Sequence, residues 1–256
     1  MCVDPGARPP LPPVRGGAVD ARDLELTSAD GTTFAAHLAR APHAGGAGIV
    51  VIPDVRGLHP FYEELARRFA EAGVHAVAVD LYARTAGPGR RGDGFDFVPH
   101  VLQTRLDTIT ADVAAAAAAL RMPDGGAAER VYAVGFCFGG RAAFLQAAGA
   151  HDLAGVIGFY GPPAGPNRAG LPEPVEEAAR FRCPVLGLFG GADESIPAAM
   201  ITRFDGALTA AGVDHRLVTY PGAPHSFFDR SAAQYTDASA DAWRQMLAFM
   251  GAIGSA

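Results

Sequence analysis

The sequence predicts an α/β domain: a mostly parallel central sheet, helices on both faces, and an opening β-hairpin. Two observations carry that expectation. After two short alternating segments, continuous apolar runs of strand length alternate with segments of helical periodicity. Over 256 residues the chain is 49% hydrophobic and 19% charged, enough apolar material for one large core, and it shows no internal repeat. The expected organisation is an irregular proline-rich arm over 1–21 and a single domain over 22–256.

DLELTS and TFAAHLAR flank ADGT and read as the hairpin. GIVVIP over 48–53 has the unbroken apolar character of a strand buried on both faces. FYEELARRFAEAG has a helical period and stops on glycine. HAVAVDLY over 75–82 is a fourth strand, followed by a long loop, ARTAGPGRRGDGFDFVPH. TRLDTITADVAAAAAALRM reads as an alanine-rich helix. VYAVGF, LAGVIGFYG, CPVLGLFGGAD and HRLVTYPGAPH supply the last four strands with their trailing loops. FGGRAAFLQAAG, IPAAMITRFDGALTAAG and DASADAWRQMLAFMG are the helices that follow three of them.

Composition removes several functions. The net charge of −6 argues against a nucleic-acid partner. All 21 basic residues are arginine, so Schiff-base chemistry and a Walker lysine are excluded. Three cysteines, Cys2, Cys137 and Cys183, lack metal-ligand spacing and fit a reducing, cytoplasmic setting. The N-terminus has no secretory h-region, and no apolar run is long enough to span a membrane. No metal or organic cofactor is expected.

The chemistry centres on GFCFGG over 135–140, where a strand turns sharply into a helix. This is the pattern of a nucleophile elbow, with cysteine in place of serine. A helix N-terminus favours thiolate over thiol. The plainer alternative is a small buried side chain in a tight turn. In sheets of this kind the order along the chain is nucleophile, acid, histidine. His215 begins a strand, the wrong end for the active edge, whereas His225 follows the last one in YPGAPHSFF. Asp193 ends LFGGAD just beyond a strand and is the acid, preferred over Glu194 one residue further into the turn. A turn aspartate capping the next helix is its alternative reading.

With those residues in place, the chain resembles the dienelactone hydrolase family, cysteine hydrolases of the α/β-hydrolase fold, over roughly residues 22 to 250. The resemblance rests on IPDVRGL, VDLYAR, GFCFGG, FYG, GGAD and PGAPHSF. It implies a nucleophile at Cys137, a base at His225 and an orienting acid at Asp193. It implies an oxyanion hole made by the backbone N–H groups of Phe138 and Val55. The family places an acid beside the resting thiol where Asp54 stands here, one methylene shorter than the usual glutamate. Asp54 also reads as a turn residue holding Arg56 or a backbone amide. Members acting on carboxylate-bearing lactones use arginines as an anion clamp. Arg84 matches one such position and Arg230 lies one residue beyond the other, each with a surface role as its alternative. Tyr82, Phe138 and Tyr160 are candidates to line the pocket, or simply core.

The expected activity is hydrolysis of lactones or activated carboxylic esters, anionic ones included, through an S-acyl enzyme. A thioesterase or acyl transferase using the same covalent step, and a binding module without catalysis, stay open. The expected partner is a small-molecule substrate, with neither nucleic acid nor membrane, and the expected state is a monomer or a small homo-oligomer.

Overall fold

The computed structural model describes residues 8–10, 19–42 and 46–252. An eight-stranded sheet organises them in the order β1-β2-β4-β3-β5-β6-β7-β8. Its strands are β1 (Asp20–Thr27), β2 (Thr33–Arg40), β3 (Ala47–Ile52), β4 (His75–Val79), β5 (Arg130–Phe136), β6 (Gly155–Phe159), β7 (Val185–Gly190) and β8 (His215–Tyr220). β1 and β2 form the expected hairpin, β2 meets β4 antiparallel, and the other pairs are parallel. The helices are α1 (Pro60–Glu71), α2 (Ala83–Ala86), α3 (Val98–Val101), α4 (Leu106–Arg121), α5 (Phe138–Gln146), α6 (Pro174–Glu177), α7 (Ala198–Ala210) and α8 (Thr236–Phe249). The arm expected over 1–21 falls largely outside the described residues, as does Cys2. Asp20 and Ala21 already belong to β1, so the domain begins two residues earlier than expected.

Strand order dictates which face each helix covers. The β3-to-β4 crossover steps one way along the sheet, and the β4-to-β5 crossover steps back over β3. Right-handed crossovers in opposite directions put α1 and α4 on opposite faces. The steps to β6, β7 and β8 keep the second direction, so α5 and α7 join α4, and Phe144 of α5 packs on Phe204 of α7 at 5.1 Å. The last helix returns to the first face, where Trp243 meets Phe69 of α1 at 4.9 Å. Burial on both sides is why β3 and β4 carry no alternation: every residue of each is buried.

Register then gathers the loops that matter. Ile52 lies level with Gly135, Phe136 with Phe159, Phe159 with Leu188, and Gly190 with Tyr220. Parallel strands in step deliver the segments after β3, β5, β6, β7 and β8 to one edge. The order also reverses beside β3, and open α/β sheets bind ligands at such a switch point.

The segment after β4, read as one long loop, contains the four-residue helices α2 and α3. Two physical features hold it. Proline in the first turn of α3 suits a helix start. Arg91 donates to both oxygens of buried Asp80 at 3.0 and 2.6 Å and lies over the Phe95 ring.

Candidate active site

Cys137 sits at φ 54°, ψ −115°, between the end of β5 and the first residue of α5. A non-glycine residue there is strained, and the strain raises the side chain above the sheet edge. The turn can be this tight only because its neighbours lack side chains. A Cβ on Gly135 would lie 1.9 Å from the Gly139 carbonyl oxygen, and one on Gly139 would lie 2.2 Å from that of Pro53. The Cys137 amide donates to the Phe159 carbonyl at 2.9 Å, tying the elbow to the end of β6.

His225, in the loop after β8, faces this thiol. Its Nδ1 lies 2.6 Å from Asp193 Oδ2. A carboxylate cannot donate, so Nδ1 carries the proton and Nε2 is left for the thiol. Burial works against the charged ring, but the hydrogen bonds to Asp193 and Cys137, with the charges of both, outweigh it and hold its pKa well above the ordinary value. Burial opposes ionisation of Asp193 too, and the bonds from His225 and Ser195 overcome it, so its pKa is lowered. Ser195 is the residue that sequence reasoning missed. Its amide and hydroxyl donate to Asp193 Oδ1 at 2.9 and 2.6 Å, which aims Oδ2 at the ring. An aspartate followed two residues later by serine was the available signal.

The loop after β3 lies beside the elbow. Asp54 N–H donates to Tyr62 OH at 3.1 Å and Arg56 N–H to Asp54 Oδ1 at 2.9 Å. Between them, the Val55 N–H has no acceptor among the described residues, while the Val55 carbonyl accepts from Tyr82 OH at 2.9 Å. Phe138 is the first residue of α5, where an amide has no partner inside its helix. Both groups expected to hold an oxyanion are therefore at the nucleophile's edge of the sheet.

Other expected residues have different surroundings. Both oxygens of Asp54 accept from Arg56 Nε at 3.0 Å, so its carboxylate serves the turn and the arginine. This is the local alternative read from the sequence. Arg84 departs from expectation more clearly. Its Nη1 and Nη2 meet Asp112 at 2.8 and 2.9 Å, and its Nε meets Asp30 at 2.8 Å. Two carboxylates occupy the fork that was to clamp a substrate anion. Arg230 is half-buried, with Nη2 3.5 Å from Ser226 Oγ. Tyr82 and Tyr160 are buried beneath the site, Tyr160 with its ring centroid 4.9 Å from that of His225.

Arg84→Ala is thus expected to act on stability. Asp112 is only 1% exposed and would lose its cation. Breaking such a partly buried pair costs about 2–3 kcal/mol, a fall in Tm of about 5–10 °C. Hydrolysis of neutral and anionic substrates should change by the same factor. A loss confined to anionic substrates would return Arg84 to the substrate.

The sequence model of the dienelactone hydrolase family matches residues 34–254. The chain belongs to the dienelactone hydrolase family. A protein of Salmonella typhimurium, provisionally named carboxymethylenebutenolidase, is 32% identical over 93% of this chain and 89% of its own length. One from Methylorubrum extorquens with the same provisional name is 33% identical over 77% and 69%. Among solved structures, one provisionally described as a dienelactone hydrolase from Klebsiella pneumoniae subsp. pneumoniae superposes with a TM-score of 0.80 at 31% identity, covering 91% of this chain and 99% of that one. This member of the dienelactone hydrolase family is a hydrolase on an α/β sheet, as its sequence predicts. Among the described residues, no His, Cys, Asp or Glu side chains group as a metal site, and no helix is long and apolar enough to cross a membrane.

Proposed function

We propose that the protein hydrolyses lactones or activated carboxylic esters through an S-acyl enzyme on Cys137. The observation that carries this reading is the line Ser195–Asp193–His225, which ends at Cys137 on the elbow. An imidazole held in its charged form is the counter-ion of a thiolate, and the α5 N-terminus favours the same charge. The thiolate attacks the carbonyl carbon, an S–C bond forms, and the carbonyl electron pair moves to oxygen. The Phe138 and Val55 amides receive that oxyanion. As the intermediate collapses, the C–O bond to the leaving group breaks and the departing oxygen takes the proton from His225 Nε2. Water, deprotonated by the same nitrogen, then attacks the thioester and expels the thiolate.

A sulfur nucleophile also narrows the substrate. The intermediate expels its better leaving group, and a thiolate leaves more easily than an ordinary alkoxide. Forward reaction therefore requires a stabilised leaving oxygen, as in enol lactones and aryl esters. The local cations point away from an obligatory substrate carboxylate, because Arg84 and Arg56 each serve two aspartates. A series of aryl esters should show kcat/KM falling steeply as the leaving phenol becomes more basic, and neutral enol lactones should be turned over. Intact-mass spectra during turnover should show one acyl group, mapped to Cys137. Turnover without that adduct, and with no dependence on the leaving group, would contradict the reading. Transfer of the acyl group to an added thiol or amine faster than to water would favour an acyl transferase.

A further inference from the structure

Behind the site lies a buried cluster that the proposed chemistry does not use. Arg56, in the loop after β3, and Asp229, in the loop after β8, are 4% and 5% exposed. They are 173 residues apart in the chain, and Arg56 Nη2 donates to Asp229 Oδ2. Asp54 grips the same guanidinium, its Oδ2 3.0 Å from that same Nη2. The arginine lies over the rings of Phe61 and Tyr62 at 5.5 and 5.4 Å, which fixes its plane. Tyr62 OH both accepts from Arg56 Nη2 at 3.3 Å and holds the Asp54 amide.

Such a cluster is a poor device for stability. Two carboxylates share one cation away from water, and Arg56 Nη1 and Asp229 Oδ1 have no partner among the described residues. Desolvation then offsets most of the attraction. Its effect is positional. Arg56 is bonded directly to Val55, whose amide is the proposed oxyanion donor. Asp229 is anchored by its own amide to the Ser226 carbonyl at 3.0 Å, immediately after His225. The two loops approach from opposite sides of β5 in the strand order, with no strand pairing between them to set their distance.

We propose that Arg56 and Asp229 are positioning residues: an internal strap that sets the Val55 amide against Cys137 and His225 for acylation. The inference rests on the proposed Cys137 mechanism. The test compares Asp229→Ala, which removes the strap but leaves the neutral Arg56–Asp54 pair, with Asp229→Asn, whose amide oxygen can still accept from Nη2. Asp229→Ala should lower kcat on an aryl ester by about 10- to 100-fold, the scale of a small misplacement of reacting groups. Affinity for a trifluoromethyl ketone, which forms an oxyanion on the thiol, should fall by the same factor. KM should stay within about threefold and Tm should not fall. Alkylation of Cys137 by iodoacetamide, which needs no oxyanion hole, should keep its rate. Asp229→Asn should recover most of kcat. Arg56→Lys, which loses the fork, should reproduce the Asp229→Ala pattern and covers a folding failure of the first variant.

Wild-type kcat in Asp229→Ala would overturn the strap, and so would alkylation and kcat falling together. The underlying mechanism fails separately, if the ketone does not protect Cys137 of the wild-type enzyme from alkylation.

Discussion

Cys137→Ala is expected to reduce hydrolysis of an activated ester by about 10⁴-fold or more while leaving the fold intact, because a triad whose nucleophile is missing loses nearly all its advantage. The backbone turn is held by the Gly135 and Gly139 contacts and by the Cys137 amide bond to Phe159, none of which involves the sulfur. Alanine occupies the same strained φ, so Tm should change little. Iodoacetamide supplies the complementary measurement. Near neutral pH it should modify Cys137 in step with loss of activity and spare Cys183, whose thiol burial pushes up to about 11. Cys137→Ser should not restore the wild-type rate, since a hydroxyl is far less acidic than a thiol. Substantial activity in Cys137→Ala would remove the covalent mechanism.

Asp193→Asn is expected to lower kcat by about 10³- to 10⁴-fold, through the tautomer of His225 rather than through any contact with substrate. The carboxylate fixes the proton on Nδ1, whereas an amide can donate to Nδ1 and leave the proton on Nε2, facing the thiol. Alkylation of Cys137 at neutral pH should slow, because the imidazolium that pairs with the thiolate loses its carboxylate. Stability follows the same linkage. Asp193, with its pKa lowered, contributes stability that is present above its unfolded value near 3.8 and lost as pH falls through the folded one. His225, with its pKa raised, contributes stability present below 6.5 and lost as pH rises through its folded value. The Tm difference between wild type and Asp193→Asn should therefore be largest between those two ordinary values. A difference that grows steadily toward alkaline pH, or a wild-type kcat, would contradict the pairing.

The legible part of the site was the part written at strand ends. GFCFGG, LFGGAD and PGAPHSF each follow an apolar run, and parallel strands in register bring such termini to one edge whatever lies between them. That is why Asp193 and His225, 32 residues apart, meet at 2.6 Å. Asp54 was legible for a different reason: its partner Arg56 is two residues away, within the reach of a turn.

Arg84 shows where the sequence stops. LYARTAG reads the same whether its guanidinium faces a substrate or a protein carboxylate. The choice fell to Asp112 and Asp30, 28 and 54 residues distant, which α4 and the hairpin turn bring within bonding distance. The Arg56–Asp229 strap spans 173 residues and leaves no local signature. The α/β alternation, the tight elbow and the chain order of the chemical groups can be read from the residues alone, because periodicity and turn chemistry are local. Which arginine meets which carboxylate is set by packing between distant segments. All 21 arginines carry the same long, flexible side chain, and the partner of each is whichever acid the packing carries within reach.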